Sequence, residues 1–110
     1  MKALQFNNIL DRRLELIRSV LGKKADEYAL DGDRLYNFKV AARMGNTTPE
    51  KALWGMLMKH LVCVMDLVDG KVDKTPGRVD EKLGDLINYI ILLEALMKEV
   101  EPCQNSTEKR

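Results

Sequence analysis

The feature that most constrains this chain is the stretch from Ala52 to Val68, where almost every residue is apolar and the polar exceptions are Lys59, His60 and Asp66. Its start is marked in the sequence. Thr48 is a good N-cap, Pro49 suits a first helical position that needs no N–H, and Glu50 complements the positive end of a helix. Gly70 supplies the stop, so the spacing predicts a helix from about Thr48 to Asp69. A helix that is apolar nearly all round is expected to be buried on most sides. No uncharged run in the chain reaches the ~18 residues that suggest a membrane span. The cover must therefore come from protein.

Three further helices are legible. The first runs from about Leu4 to Ala29, with Phe6, Ile9, Leu10, Leu14, Ile17, Leu21, Ala25 and Tyr28 recurring three and four apart on one face, and with Gly22 as a candidate break. Leu30-Asp31-Gly32-Asp33 is a turn by composition. The second helix, about Arg34 to Met44, carries Leu35, Phe38, Ala41 and Ala42 on one side and ends at Gly45-Asn46. Lys71 to Arg78, with Pro76 and Gly77, reads as a charged loop. The fourth helix runs from about Val79 to Val100, and its stretch Leu86 to Met97 is interrupted only by Asn88, Glu94 and Tyr89.

The expected architecture is all-α: a bundle of about four helices over residues 1–102, followed by a disordered tail at 103–110. Two central helices that are apolar on most faces need more cover than two amphipathic ones provide. A homodimer or homotetramer, with helix three or four in the interface, would supply it.

Charge excludes some functions. With 18 Lys+Arg against 17 Asp+Glu the chain lacks the basic excess of a nucleic-acid binder. Asn7, Asn8 and Asp11 fall where a signal peptide needs an apolar block, so the expected location is cytoplasmic. Cys63 in an apolar run and Cys103 in the polar tail make neither a disulfide framework nor a zinc site, and read as one buried and one exposed thiol.

The residues best placed for chemistry are Glu81, Asp85 and Asn88, four and three apart and so on one helix face, which Leu92 continues into the core. An Asp so placed is expected to be largely buried and must be paired, metal-bound or protonated. Gly84 beside it permits close approach of another backbone or a ligand. Two carboxylates one turn apart can hold Mg²⁺, whose remaining positions water and phosphate oxygens fill. The alternative is a solvated Glu81 and an Asp85 paired with a lysine. Lys59 shares a face with Gly55, Val62 and Asp66 and would meet phosphate or balance Asp85; otherwise it is a structural ion pair or reaches out to water. His60 is expected as a hydrogen-bonded core residue. Lys24 with Tyr28, and Arg34 with Asn37, would grip a base or a phosphate, or are helix-end charges. Lys71, Lys74 and Arg78 are phosphate anchors or, more simply, a solvated loop. One histidine, no serine elbow and no Gly-rich phosphate loop leave nothing for nucleophilic catalysis.

The order Lys24…Glu27-Tyr28, Asp33-Arg34-Leu35…Asn37-Phe38, Thr48-Pro49-Glu50, Lys59-His60 and Glu81…Asp85…Asn88-Tyr89 resembles the MazG-like superfamily of all-α nucleotide pyrophosphohydrolases. Within it the likeness is to the divergent phage and prophage branch associated with nucleotide modification. It spans about Lys24 to Leu96, and its most specific piece is Glu81-Lys82-Leu83-Gly84-Asp85, which looks like the family's Glu-Glu-Leu-Gly-Asp motif. The resemblance implies a dimeric or tetrameric helical enzyme that uses Mg²⁺ to hydrolyse a nucleoside triphosphate to monophosphate and pyrophosphate. It assigns the metal to Glu81 and Asp85, with Glu27 as a third ligand, and the nucleotide to Lys24, Lys59, Asn88, Arg34 and Asn37. Lys82 stands where the motif has its second glutamate, and the family's Glu-x-x-Glu pair on the preceding helix has no counterpart. That departure favours the alternative: a non-catalytic structural or nucleotide-binding oligomer, or a module for a phage or host protein.

Overall fold

The computed structural model describes residues 1–23 and 32–99, and every regular element among them is helical. Helix α1 spans Ala3–Ile17 and continues into a π-helical stretch, Arg18–Lys23. It is followed by α2 (Tyr36–Met44), α3 (Pro49–Val68) and α4 (Pro76–Lys98). The two long helices, α3 and α4, pack along each other; α2 packs on α3, and α1 packs on α4. None of these helices is long and apolar enough to cross a membrane. The expected extension of the first helix through Lys24, Glu27 and Tyr28, and the tail from Cys103, lie outside the described residues.

The helix ends follow local chemistry. Lys51 N–H donates to Thr48 Oγ1 at 3.2 Å, and Pro49 occupies the first turn. The same device opens α4: Arg78 N–H donates to Thr75 Oγ1 at 3.2 Å, with Pro76 behind it. Pro76 therefore starts the fourth helix, three residues earlier than the charged-loop reading places it, because a proline at the first helical position has no N–H to waste. Asn46 (φ 54°) and Gly70 (φ 72°) turn the chain through the left-handed region after α2 and α3. Asp33 prepares α2: its Oδ1 accepts from Leu35 N–H at 3.0 Å while Oδ2 accepts from Lys39 Nζ at 2.7 Å. Lys39 holds the Asp33 carboxyl below its usual range, and Asp33 and then Glu99 hold the Lys39 ammonium above its own.

The core sits between α2, α3 and α4. Leu35, Phe38, Leu53, Leu57 and Leu96 form it, with Leu53 fully buried and Met56, Leu86, Tyr89 and Leu92 packed around it. Two expectations change here. Helix α3 buries Leu53, Leu57 and Leu67 but leaves Trp54, Val62, Met65 and Val68 at least half exposed, because within one chain both its neighbours approach from one side. Helix α1 has no fully buried residue: Leu4, Phe6, Ile9, Leu10 and Leu14 are all exposed, and only Arg13, Leu16 and Ile17, on its later turns, are partly covered. Cys63 is half-buried rather than buried.

The joint between α1 and α4 is polar. Arg13 Nη2 donates to the Asp80 carbonyl at 3.1 Å, and Arg12 lies 3.5 Å from the Asp80 carboxylate. Gly84 makes room for this joint. A Cβ there would lie 2.6 Å from Arg13 Nη1, so the close approach the glycine permits is that of an arginine side chain from α1.

Candidate functional site

The face of α4 that carries Asp85 and Asn88 separates two clefts. The first, about 460 Å³, opens between the π-helical stretch, α2 and α4. Leu21, Phe38, Met56 and Leu92 supply apolar walls, and four polar side chains converge on it: Arg34, Asn37, Asp85 and Asn88. An apolar cleft of that size with a few convergent polar groups is the usual form of a small-molecule site. The second, about 330 Å³, shares Asp85 and Asn88 with the first and adds Arg12, Arg13, Asp80 and Glu81.

Tyr89 gives the first cleft a fixed aromatic wall. Its ring meets Phe38 edge-on at 6.2 Å and stacks on His60 at 4.6 Å with the planes 28° apart. His60 is thus half-buried and held between aromatic packing and an acid, for its Nδ1 lies 3.7 Å from Asp85 Oδ2. The distance is beyond hydrogen-bond reach, and attraction develops only when the imidazole is protonated. Asp85 is 39% exposed at its side chain rather than largely buried. It sits where two clefts meet, so solvent reaches it from either side.

Among the described residues, Asn88 has a buried side-chain polar atom without a partner. Its Oδ1 is buried and accepts no hydrogen bond. An acceptor left in that state costs about 1–3 kcal/mol. Native proteins keep few such atoms, and each calls for an explanation such as a ligand or water that completes it.

The structure brings Arg34, Asn37, Asp85 and Asn88 together, as the sequence groups them by helix but not across helices. Glu81 joins Asp85 and Asn88 only at the second cleft, with its side chain 64% exposed and Lys82 Nζ 3.7 Å from its carboxylate. Lys59 does not join them. It is exposed on the outer face of α3, lines neither cleft and makes no ion pair with Asp85. Its neighbour His60, about 100° further round the helix, takes the inward position instead. Lys24 and Glu27 lie outside the described residues. Arg78 N–H groups serve the loop itself, Nη1 donating to the Asp73 carbonyl at 2.8 Å. Among the described residues no three His, Cys, Asp or Glu side chains are grouped to hold a metal ion.

Sequence reasoning missed Arg13, Asp80 and the pairing of His60 with Asp85. Arg13 had a signal: it interrupts the apolar spacing of the first helix between Leu10 and Ile17. Compared with known families, with curated proteins and with solved structures, the chain matches none.

Proposed function

We propose that this chain is a cytoplasmic, MazG-like nucleotide-binding protein that takes the base of a nucleotide into the cleft between α2 and α4. The observation that carries the reading is the convergence of Arg34, Asn37, Asp85 and the unpartnered Asn88 on one apolar cleft with Phe38 and Tyr89 in its walls. A base is flat and apolar on its faces and polar at its edge, which is the division the cleft makes. Asn88 lines the cleft with its Oδ1 covered, and a turn of its side chain would bring that acceptor to an exocyclic or ring N–H of the base; Asn37 offers both a donor and an acceptor. Arg34 faces the phosphates or the sugar as a fixed cation.

Mg²⁺ enters this reading with the nucleotide. Glu81 and Asp85 line the second cleft one helical turn apart, while Asp80 is already held by Arg12 and Arg13. The described residues therefore offer two carboxylates, which fits an ion whose remaining ligands are phosphate oxygens and water. Such an ion would neutralise phosphate charge and orient water for release of pyrophosphate. The second reading is a binder that does not hydrolyse, favoured because Glu81 and Asp80 each have a cation within 4 Å, Lys82 at the one and Arg12 and Arg13 at the other, while the His60 ring stands 3.7 Å from Asp85. In either case we read the protein as a homodimer or homotetramer, on the strength of the apolar side chains that one copy leaves exposed.

Thermal unfolding with each nucleoside triphosphate, with and without Mg²⁺, tests the proposal. A ligand of the folded state raises the midpoint, and Mg²⁺ should enlarge the rise. Release of pyrophosphate in the same samples separates the two readings. No shift with any triphosphate at millimolar concentration would overturn both.

A further inference from the structure

We propose that two copies of the chain dock antiparallel through α1, each inserting Phe6 into an apolar groove of the other between the end of α1 and α4. This rests on the assembly reading above and names its surface. The composition of the chain points to α3 or α4 at the interface, but α1 is the helix with no fully buried residue. Leu4, Phe6, Ile9, Leu10 and Leu14 are 45–72% exposed. A 15-residue helix whose apolar stripe faces water is marginal by itself.

The occupant follows from what α1 carries further along. Leu14, Ile17, Leu21 and Ile91, together with Arg18, line a groove of about 490 Å³. Gly22, also on its wall, has nothing within 4 Å of where a Cβ would stand. Phe6 lies about 16 Å along the helix from the middle of this groove, at ~1.5 Å per residue. A twofold axis crossing α1 at Leu10 sets Phe6 of one copy against position 14 of the other, at the near end of its groove. Each exposed ring then meets the partner's groove, and the contact closes as a dimer with one patch on both copies. A parallel pair would set Phe6 against Phe6 and leave both grooves empty.

Area and charge agree with a second copy. Leu4 lies about 160° round α1 from Phe6 and stays outside the contact; Phe6, Ile9, Leu10 and Leu14, with Ile91 at 36% exposure, present roughly 450 Å² per copy, about 900 Å² for the pair, the size of a weak, transient contact. Asp11 and Glu15 stand against Arg12, Arg13 and Arg18 along α1 and its π-helical end, and Asp80 of α4 offsets the excess through its pairs with Arg12 and Arg13, so two copies meet without net repulsion. Leu21 lines both this groove and the cleft between α2 and α4, so docking also braces one wall of that cleft.

Light scattering on the full chain, with two variants, tests the surface. The parent should show twice the 12.6 kDa chain mass at ~100 μM. Phe6→Asp should dissociate at least 100-fold more readily while keeping its helical circular dichroism, since its own chain does not bury the ring. The double variant F6C/L14C, oxidised beside the parent to account for Cys63 and Cys103, should form a disulfide from position 6 of one copy to position 14 of the other. Those positions are about 12 Å apart on one helix, too far to bridge within a copy. A monomeric parent overturns the assembly reading and this surface with it. A dimeric parent whose Phe6→Asp variant stays dimeric, with no 6-to-14 bridge, overturns the surface alone. Bridges from 6 to 6 and 14 to 14 overturn the antiparallel arrangement.

Discussion

Replacing Asn88 by leucine should make the protein more stable and a weaker binder of its ligand. The side chain is half-buried among the walls of both clefts, and its Oδ1 is covered and accepts no hydrogen bond. Removing that acceptor recovers about 1–3 kcal/mol of desolvation. Leucine keeps the branch at Cγ but is the larger side chain; the two open clefts that Asn88 lines leave room for its methyl groups, so overpacking stays small. It is also the better helix former by a few tenths of a kcal/mol, roughly 0.5 at most. The net gain should be about 1–3 kcal/mol, a rise of roughly 5–15 °C in the midpoint for a domain of this size. Binding moves the other way. A ligand N–H that had met Oδ1 would face a methyl group, and affinity should fall roughly tenfold to a hundredfold. Urea denaturation gives the first quantity and calorimetric titration of a triphosphate with Mg²⁺ the second. A variant that is less stable than the parent, or that binds equally well, refutes the reasoning: the amide would then be satisfied within the fold.

Two further outcomes follow from the ion pairs. Asp85→Asn, measured in urea without metal, should change stability by no more than about 1 kcal/mol, because a partly exposed acid 3.7 Å from a histidine is a weak pair; a loss of several kcal/mol would mean the carboxylate anchors the fold and is not available to a ligand. Asp33→Asn should cost up to about 1 kcal/mol near neutral pH, from a pair that is mostly shielded but not buried. The sign with pH is fixed by the two directions. Asp33 titrates below its usual 3.8, so its contribution is present above that value and disappears as pH falls through the lower folded one. Lys39 titrates above 10.5, so its share is complete below that value and fades as pH rises through the folded one. Stability curves of parent and variant should therefore converge as pH falls through the folded value of Asp33, and a gap that persists once the carboxyl is protonated would rule out the pair as its source.

The sequence alone determined the helices and most of their ends. Caps and stops are short-range: a threonine oxygen reaches an N–H three residues on, a proline omits one N–H, and Gly70 or Asn46 adopts a positive φ, all without help from distant chain. The start of α4 was written in the same Thr-Pro pair as that of α3 and needed only to be read twice. Grouping Glu81, Asp85 and Asn88 on one face was equally local, since helix pitch fixes it. The tertiary structure decided what those faces meet. The apolar periodicity of α1 and α3 says that a stripe wants cover, yet how much cover arrives depends on which helices pack and from which side. Phe6 and Trp54 thus stand exposed in the single chain, while Leu53 is sealed. Partners across helices were hidden for the same reason. Asp85 meets His60 rather than Lys59, and Gly84 seats Arg13 rather than a ligand. A step of one residue turns a side chain about 100° round its axis, and only the packed arrangement says which direction is inward.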